Sequence, residues 1–428
     1  MVQRFTLFVL VISQIQLLSA QDAEFIEITQ GAGYAQEVYY LLETQEAVSV
    51  AGDAWDIAFS GGFSAGIWLN ETSDASGATL GLYRLSSGYS YQDTLSPEMA
   101  AERLYNAHSG YGEGAFAQVA DPADPFDFGW GSYNPANHIV GNGPAYLVQK
   151  RDSSWIKFRI HELASGAFSF SYADLDGTNE TIDTVDTRMY ADRSLIHYSL
   201  KTREVITEIP VNYDLVFTRY FTPLDDGQGG TLDYLVTGVL QGPGIEVAEV
   251  ATQDPGQREF QAGTDTFATN LDVIGYDWKS FDLSTFSYRI ENDVVYFVKD
   301  REDKLWKLQF VDFEGSSTGV SIFSQTEAGI VSNTADRKLA TAIRVNTFPN
   351  PVVDQVTVQW QAENSLSGQA TWHLISASGK LLQQGILTIS GQAAGSLQIP
   401  LGDLPGGMYF FQIRAGQGVL TKALQKNY

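Results

Sequence analysis

Trp155-Ile156-Lys157-Phe158-Arg159-Ile160-His161 decides the fold class of this chain. Ile156, Phe158 and Ile160 share one side of an extended backbone, and Lys157, Arg159 and His161 share the other. That is the two-residue period of a half-buried strand. Further on, Val294-Val295-Tyr296-Phe297-Val298 and Trp306-Lys307-Leu308-Gln309-Phe310 flank the charged turn Arg301-Glu302-Asp303-Lys304, the pattern of a hairpin. Long helical periodicity is scarce. One short helix is expected, capped by Ser96, with Pro97 in its first position and Glu98 to Tyr105 as its body. The chain reads as all-β, an internally duplicated β-rich body followed by a small C-terminal β-sandwich.

The duplication is visible at an offset of 158 residues. Tyr40, Leu42, Trp55, Asp56, Ile57 and Phe59 meet Tyr198, Leu200, Tyr213, Asp214, Leu215 and Phe217. At a shorter offset of 148, Trp130, Ser132 and Tyr133 meet Trp278, Ser280 and Phe281, and at 150, Tyr146, Arg151 and Lys157 meet Tyr296, Arg301 and Lys307. A period this long fits no short solenoid or propeller repeat. The half-units expected are about 34–176 and 190–326. Trp55 and Tyr213 are expected at equivalent positions, with Asp56 and Asp214 on the opposite face of their strands.

With 428 residues there is room for two or three domains, and 44% apolar residues suffice for a core. Aromatic residues make up 12%, including 21 Tyr and 24 Phe, which favours strands. The chain has no cysteine, so neither a disulfide nor a lipid-anchoring thiol contributes. The formal net charge is −25. From Ile343 onward five Lys/Arg stand against three Asp/Glu, and with Arg4 set aside the body carries −28. That break marks a boundary within 330–345, where the polar Thr334-Ala335-Asp336-Arg337-Lys338 lies. So acidic a body argues against nucleic acid and anionic membranes as partners.

Arg4, the apolar run Phe5 to Ile12 and the small Ala20 before Gln21 follow the grammar of a secretory signal peptide over residues 1–20. No stretch is long and apolar enough for a transmembrane segment. At the other end come Phe348-Pro349-Asn350-Pro351, Val356-Thr357-Val358, Gly379-Lys380 and Leu404-Pro405-Gly406-Gly407-Met408-Tyr409. In this order they resemble the type A C-terminal sorting domain of proteins exported by the bacterial type IX (Por) secretion system. The resemblance implies recognition by that machinery, passage across the outer membrane, and a final place on the cell surface or outside the cell. The organisation expected is signal peptide 1–20, body 21–330, linker 331–344 and sorting domain 345–428.

Within the body, Trp55-Asp56-Ile57-Ala58-Phe59, Gly66-Ile67-Trp68-Leu69-Asn70 and Gly129-Trp130-Gly131-Ser132-Tyr133-Asn134 resemble the HmuY-like family of all-β haem-binding proteins. That resemblance implies haem or a related porphyrin as ligand. Haem is held by axial ligands such as His or Met. His161 lies on a strand's polar face and His197 aligns with Tyr39, both structural positions. His108, in the Gly-rich stretch Asn106 to Gly112, and His138, after Pro135, are the candidate haem ligands. Gly62-Phe63-Ser64-Ala65-Gly66 satisfies the nucleophile-elbow pattern, yet a strand rather than a helix is expected after it, so a hydrolase using Ser64 is disfavoured. Asp174-Leu175-Asp176-Gly177-Thr178-Asn179 offers oxygen ligands but fails the EF-hand spacing at Val185, leaving any metal undetermined. The role expected is binding without catalysis, by haem or as a surface interaction protein without it.

Overall fold

The computed structural model describes residues 23–61, 65–124, 126–330, 343–362, 368–376, 380–389, 394–415 and 418–426. The expected signal peptide, Ser64, Gly379 and residues 331–342 of the expected linker lie outside them.

The body begins with β1 (Glu24–Thr29), β2 (Gln36–Tyr40), β3 (Ala47–Ala51), β4 (Ile57–Ser60), β5 (Ile67–Leu69), β6 (Gly81–Leu85) and β7 (Ala100–Leu104). It continues through β8 (Gly131–Asn134), β9 (Ile139–Asn142), β10 (Ala145–Gln149), β11 (Trp155–Ala164), β12 (Ala167–Asp174), β13 (Thr181–Asp186), β14 (Leu195–Ser199) and β15 (Glu204–Val205). Then come β16 (Leu215–Asp225), β17 (Thr231–Gln241), β18 (Glu246–Ala251), β19 (Lys279–Asp282), β20 (Ser287–Ile290), β21 (Val294–Lys299), β22 (Lys304–Phe313) and β23 (Val320–Ile330).

These strands make two sandwiches. In the first, the outer sheet β13-β12-β11-β10-β6-β7 packs on the inner sheet β15-β14-β4-β5 around Phe59, Trp130, Phe158, Phe170 and Tyr198. In the second, the outer sheet β1-β23-β22-β21-β18 packs on the inner sheet β17-β16-β2-β3 around Tyr40, Phe217, Trp278, Phe310 and Phe323. The two inner sheets face each other across a third cluster that includes Tyr39, Trp55, Ala58, Trp68, Tyr213 and Val216. Inner strands are therefore covered on both faces. This explains why Val38-Tyr39-Tyr40, Ile57-Ala58-Phe59 and Leu215-Val216-Phe217 run apolar without alternation.

The same pairing occurs twice. Ile57, Ala58 and Phe59 lie opposite Tyr198, His197 and Ile196, and Leu215, Val216 and Phe217 lie opposite Tyr40, Tyr39 and Val38. Ion pairs repeat with it. Arg151 Nη1 meets Asp56 Oδ1 at 3.0 Å, and Arg301 Nη1 meets Asp214 Oδ1 at 2.7 Å. The second oxygen of each aspartate accepts the backbone N–H of Leu200 or of Leu42, both at 2.8 Å. Trp55 and Tyr213 both enter the cluster between the inner sheets.

Two sequence expectations need correction. Of the helix expected after Ser96, only Pro97–Met99 forms a helical turn, of the 3₁₀ type. Ala100–Leu104 instead pairs with β6 and buries Leu104 at 2% exposure, so tertiary pairing overrides the helix propensity of Glu98 to Tyr105. Lys157 is not on an open polar face. The loop between β6 and β7 covers it: its Nζ donates to the Asp93 carbonyl at 3.0 Å and lies over the Tyr91 ring.

The C-terminal unit is a second kind of sandwich. Its strands are β24 (Ile343–Phe348), β25 (Gln355–Ala362), β26 (Gly368–Ser376), β27 (Leu381–Ile389), β28 (Ala394–Pro400), β29 (Gly407–Ala415) and β30 (Gly418–Lys426). The sheets β24-β25-β28 and β27-β26-β29-β30 enclose Val356, Val358, Trp372, Leu374, Phe411 and Ile413. The landmarks read from the sequence have physical roles here. Asn350 Nδ2 donates to the Ala423 carbonyl at 3.1 Å and its Oδ1 accepts Gln425 N–H at 2.8 Å, docking the Pro-Asn-Pro turn on the last strand. Tyr409 Oη donates to the Pro405 carbonyl at 2.6 Å, closing the Leu-Pro-Gly-Gly turn on itself.

Candidate functional site

Between the inner sheets lies a cavity of about 60 Å³. At roughly 10–15 Å³ for each water, that is room for about four waters or a ligand of about as many heavy atoms. The repeat is broken here. Where the second half of the chain has Leu195, the first half has Glu37, one turn of the pleat before Tyr39. Glu37 is buried, and four donors converge on it. Thr218 Oγ1 reaches Oε1 at 2.7 Å and Thr72 Oγ1 at 3.1 Å, while Trp55 Nε1 reaches Oε2 at 2.6 Å and Tyr39 Oη at 3.1 Å. These bonds offset the cost of placing a carboxylate between two sheets.

Glu71 follows β5 and ties the sandwiches together. Its oxygens accept the backbone N–H groups of Asn106 at 2.8 Å and Phe221 at 3.1 Å. Burial raises its carboxyl to about 7, the backbone donors opposing the shift. Neither Glu37 nor Glu71 forms an ion pair among the described residues.

The Gly-rich stretch Asn106 to Gly112 wedges between the sandwiches. The His108 carbonyl accepts Leu271 N–H at 2.7 Å, Tyr111 Oη donates to the Gln241 carbonyl at 2.6 Å, and Trp68 Nε1 donates to the Tyr111 carbonyl at 2.9 Å. Gly66 permits this approach, since a Cβ there would stand 2.6 Å from the Tyr111 carbonyl oxygen. The His108 ring meets Tyr220 edge-on at 4.7 Å, and burial depresses its pKa to about 4, so it is neutral at physiological pH. His197 lies in β14 against Trp55 at 4.8 Å, and burial lowers it to about 3.

His108 lines the cavity and His138 does not. His138 is exposed on the β8–β9 turn at φ 59°, and its Nδ1 pairs with Tyr133 Oη at 2.6 Å. The structure does not bring the two imidazoles around one space, and the cavity is far smaller than a porphyrin. The residues present do not fit a haem held by this pair. His161 is half-buried on β11. The acidic turn from Asp174 closes on its own groups, Thr178 Oγ1 to Asp176 at 2.6 Å and Asn179 Nδ2 to Asp174 at 2.6 Å. Among the described residues no group of three or more His, Asp or Glu is arranged to hold a metal. Sequence reasoning missed Glu37 and Glu71. The signal for Glu37 was available, a lone acid in the apolar run Glu37-Val38-Tyr39-Tyr40.

Residues 346–427 match the family model described as "Secretion system C-terminal sorting domain". The match does not extend to the body and lends the HmuY-like resemblance no support. No curated protein matches the chain. Among solved structures, dimeric latent PorU from Porphyromonas gingivalis is similar at 11% identity and a TM-score of 0.18, over 68% of this chain and 31% of that one. The chain thus spans about a third of PorU's length. A mutant trimeric ectodomain of the C. elegans fusion protein EFF-1 is similar at 8% identity and a TM-score of 0.15, over 96% of this chain and 95% of that one. Likenesses this slight carry no argument about the body. The C-terminal sandwich, by its motifs, its fold and the family match, is a secretion-system C-terminal sorting domain, and the chain is one exported by type IX secretion.

Proposed function

We propose that this exported chain is a binding protein of the cell surface or the extracellular space, and that it works without catalysis. The observation that carries the binding reading is the broken symmetry between the inner sheets. A buried carboxylate, Glu37, replaces a leucine beside a cavity that a purely structural interface would fill with apolar side chains. The non-catalytic reading draws on the segment after Ser64, where the nucleophile-elbow pattern leads into a strand, Ile67–Leu69, and not into the helix such an elbow needs. The ligand this cleft suits is small and polar.

A porphyrin is the ligand that the HmuY-like resemblance implies. His108 and His138, the ligands expected for it, do not meet around one space. A haemin titration of the full chain separates the two ligand classes. The small-ligand cleft predicts no Soret shift, together with non-water density beside Glu37 in crystals of protein purified from its own culture medium. A Soret shift abolished by His108→Ala would overturn it in favour of a porphyrin. Water alone in the cleft would remove the case for a ligand there.

A further inference from the structure

The two sandwiches do not coincide with the two sequence repeats. Every buried residue of the first core falls between Ile57 and Tyr198, one unbroken stretch. The second core draws on Ile28, Tyr34, Val38, Tyr40 and Leu42 from the start of the body and on Leu215 to Phe323 from its end. β1 pairs along its length with β23, from Glu24 opposite Gln325 to Thr29 opposite Val320, and β2 pairs with β16. The corresponding strands of the second repeat, β13 and β14, pair with β12 and β4 of the first. Each repeat therefore lends its opening strands to the other repeat's sandwich.

We infer that residues 24–51 are the strand donor of the second sandwich. The body's two cooperative folding units are then residues 52–206, and residues 24–51 together with 207–330. The donor is held at three kinds of site. Its side chains Val38 and Tyr40 enter the second core. Tyr40 Oη donates to Gln325 Oε1 at 2.8 Å, and Gln325 Nε2 donates to the Leu42 carbonyl at 2.8 Å. Leu42 N–H binds Asp214, which Arg301 clamps. The unit so formed is complete only when β1 meets β23, the last strand before the sorting domain. The first unit needs nothing from outside 52–206 for its core. Chain order during export has a consequence: the second sandwich closes last, after the whole body is available.

Hydrogen exchange on the full chain tests this, using equivalent core residues. Val38 and Ile196 occupy matching positions in β2 and β14 and are both fully buried. A buried aliphatic truncation weakens the unit that contains it, and exchange through opening of that unit accelerates by about tenfold or more. Val38→Ala is expected to accelerate exchange in 215–323 while 57–172 keeps its wild-type rates. Ile196→Ala is expected to do the reverse. Acceleration in 57–172 by Val38→Ala, or equal acceleration of both blocks by either variant, would overturn the inference. Each variant's unperturbed block is the control for folding.

Discussion

Replacing Arg301 by methionine isolates the clamp on the strand donor. Asp214 is buried at 6% exposure, and burial is the largest influence on its pKa, raising it against the opposing Leu42 and Arg301 contacts. Arg301 supplies its only ion pair among the described residues, and its Nε also donates to the Pro243 carbonyl at 2.9 Å. Breaking a fully buried pair by removing one partner costs about 3–5 kcal/mol, because the remaining charge is stranded. The Arg301 side chain is 26% exposed, so water recovers part of that cost, leaving about 2–3 kcal/mol. Urea unfolding followed by circular dichroism, with the second sandwich's transition resolved, measures the loss. The companion change Arg151→Met should cost more in the first sandwich, since Arg151 is 10% exposed. Without Arg301 the folded Asp214 carboxyl rises further, so the variant's deficit is full above that pKa and vanishes as pH falls below the unfolded value of about 3.9. The double change Arg301→Met/Asp214→Asn should recover at least about 1 kcal/mol. A single-variant loss under about 0.5 kcal/mol at pH 7, or a deficit unchanged at pH 3.5, would refute the reasoning.

Three further outcomes follow from the same geometry. Glu71 titrates in the fold at about 7 against a usual 4.5, so its contribution to stability is present below 4.5 and is lost as pH rises to about 7. Glu71→Gln should flatten the dependence of the melting temperature between those values, and an unchanged slope would contradict the assignment. Lys279 is buried against Trp278, and its Nζ donates to the Thr237 carbonyl at 2.7 Å. Burial lowers it to about 7, so stability should rise with pH from about 7 to 10.5, and Lys279→Met should abolish that rise in denaturant titrations at fixed pH. In the sorting domain, Tyr409→Phe removes the bond to the Pro405 carbonyl and should cost the isolated transition of that domain about 1 kcal/mol in thermal unfolding.

The fold class was legible in the period-two run at Trp155 and in the turn chemistry. The repeat was legible because landmark residues bear fixed structural duties: Asp56 and Asp214 meet Arg151 and Arg301 in corresponding pairs. The exchange of opening strands was not legible. A sequence repeat shows which segments are alike but not which copy they pair with. The helix expected after Pro97 failed because Leu104 finds a buried partner across β6, a long-range effect that local propensity does not register. His108 was singled out as a haem ligand in a mobile loop, whereas its segment is wedged between the sandwiches, its ring against Tyr220 and its carbonyl bonded to Leu271. Glu37 and Glu71 were missed for a plain reason. In a body carrying −28, single acids do not stand out unless the strand around them is recognised as buried on both faces.

The claim that most of this account rests on is export through the C-terminal sandwich, and one localisation experiment addresses it. Deleting residues 343–428 from the otherwise intact chain and fractionating the cells should leave the body folded, with its hydrogen-exchange protection in 57–323 retained, but confined to the periplasm. Full-length protein in the same cells should reach the surface or the medium. Truncated protein found at the surface, in the same proportion as the full chain, would contradict the account.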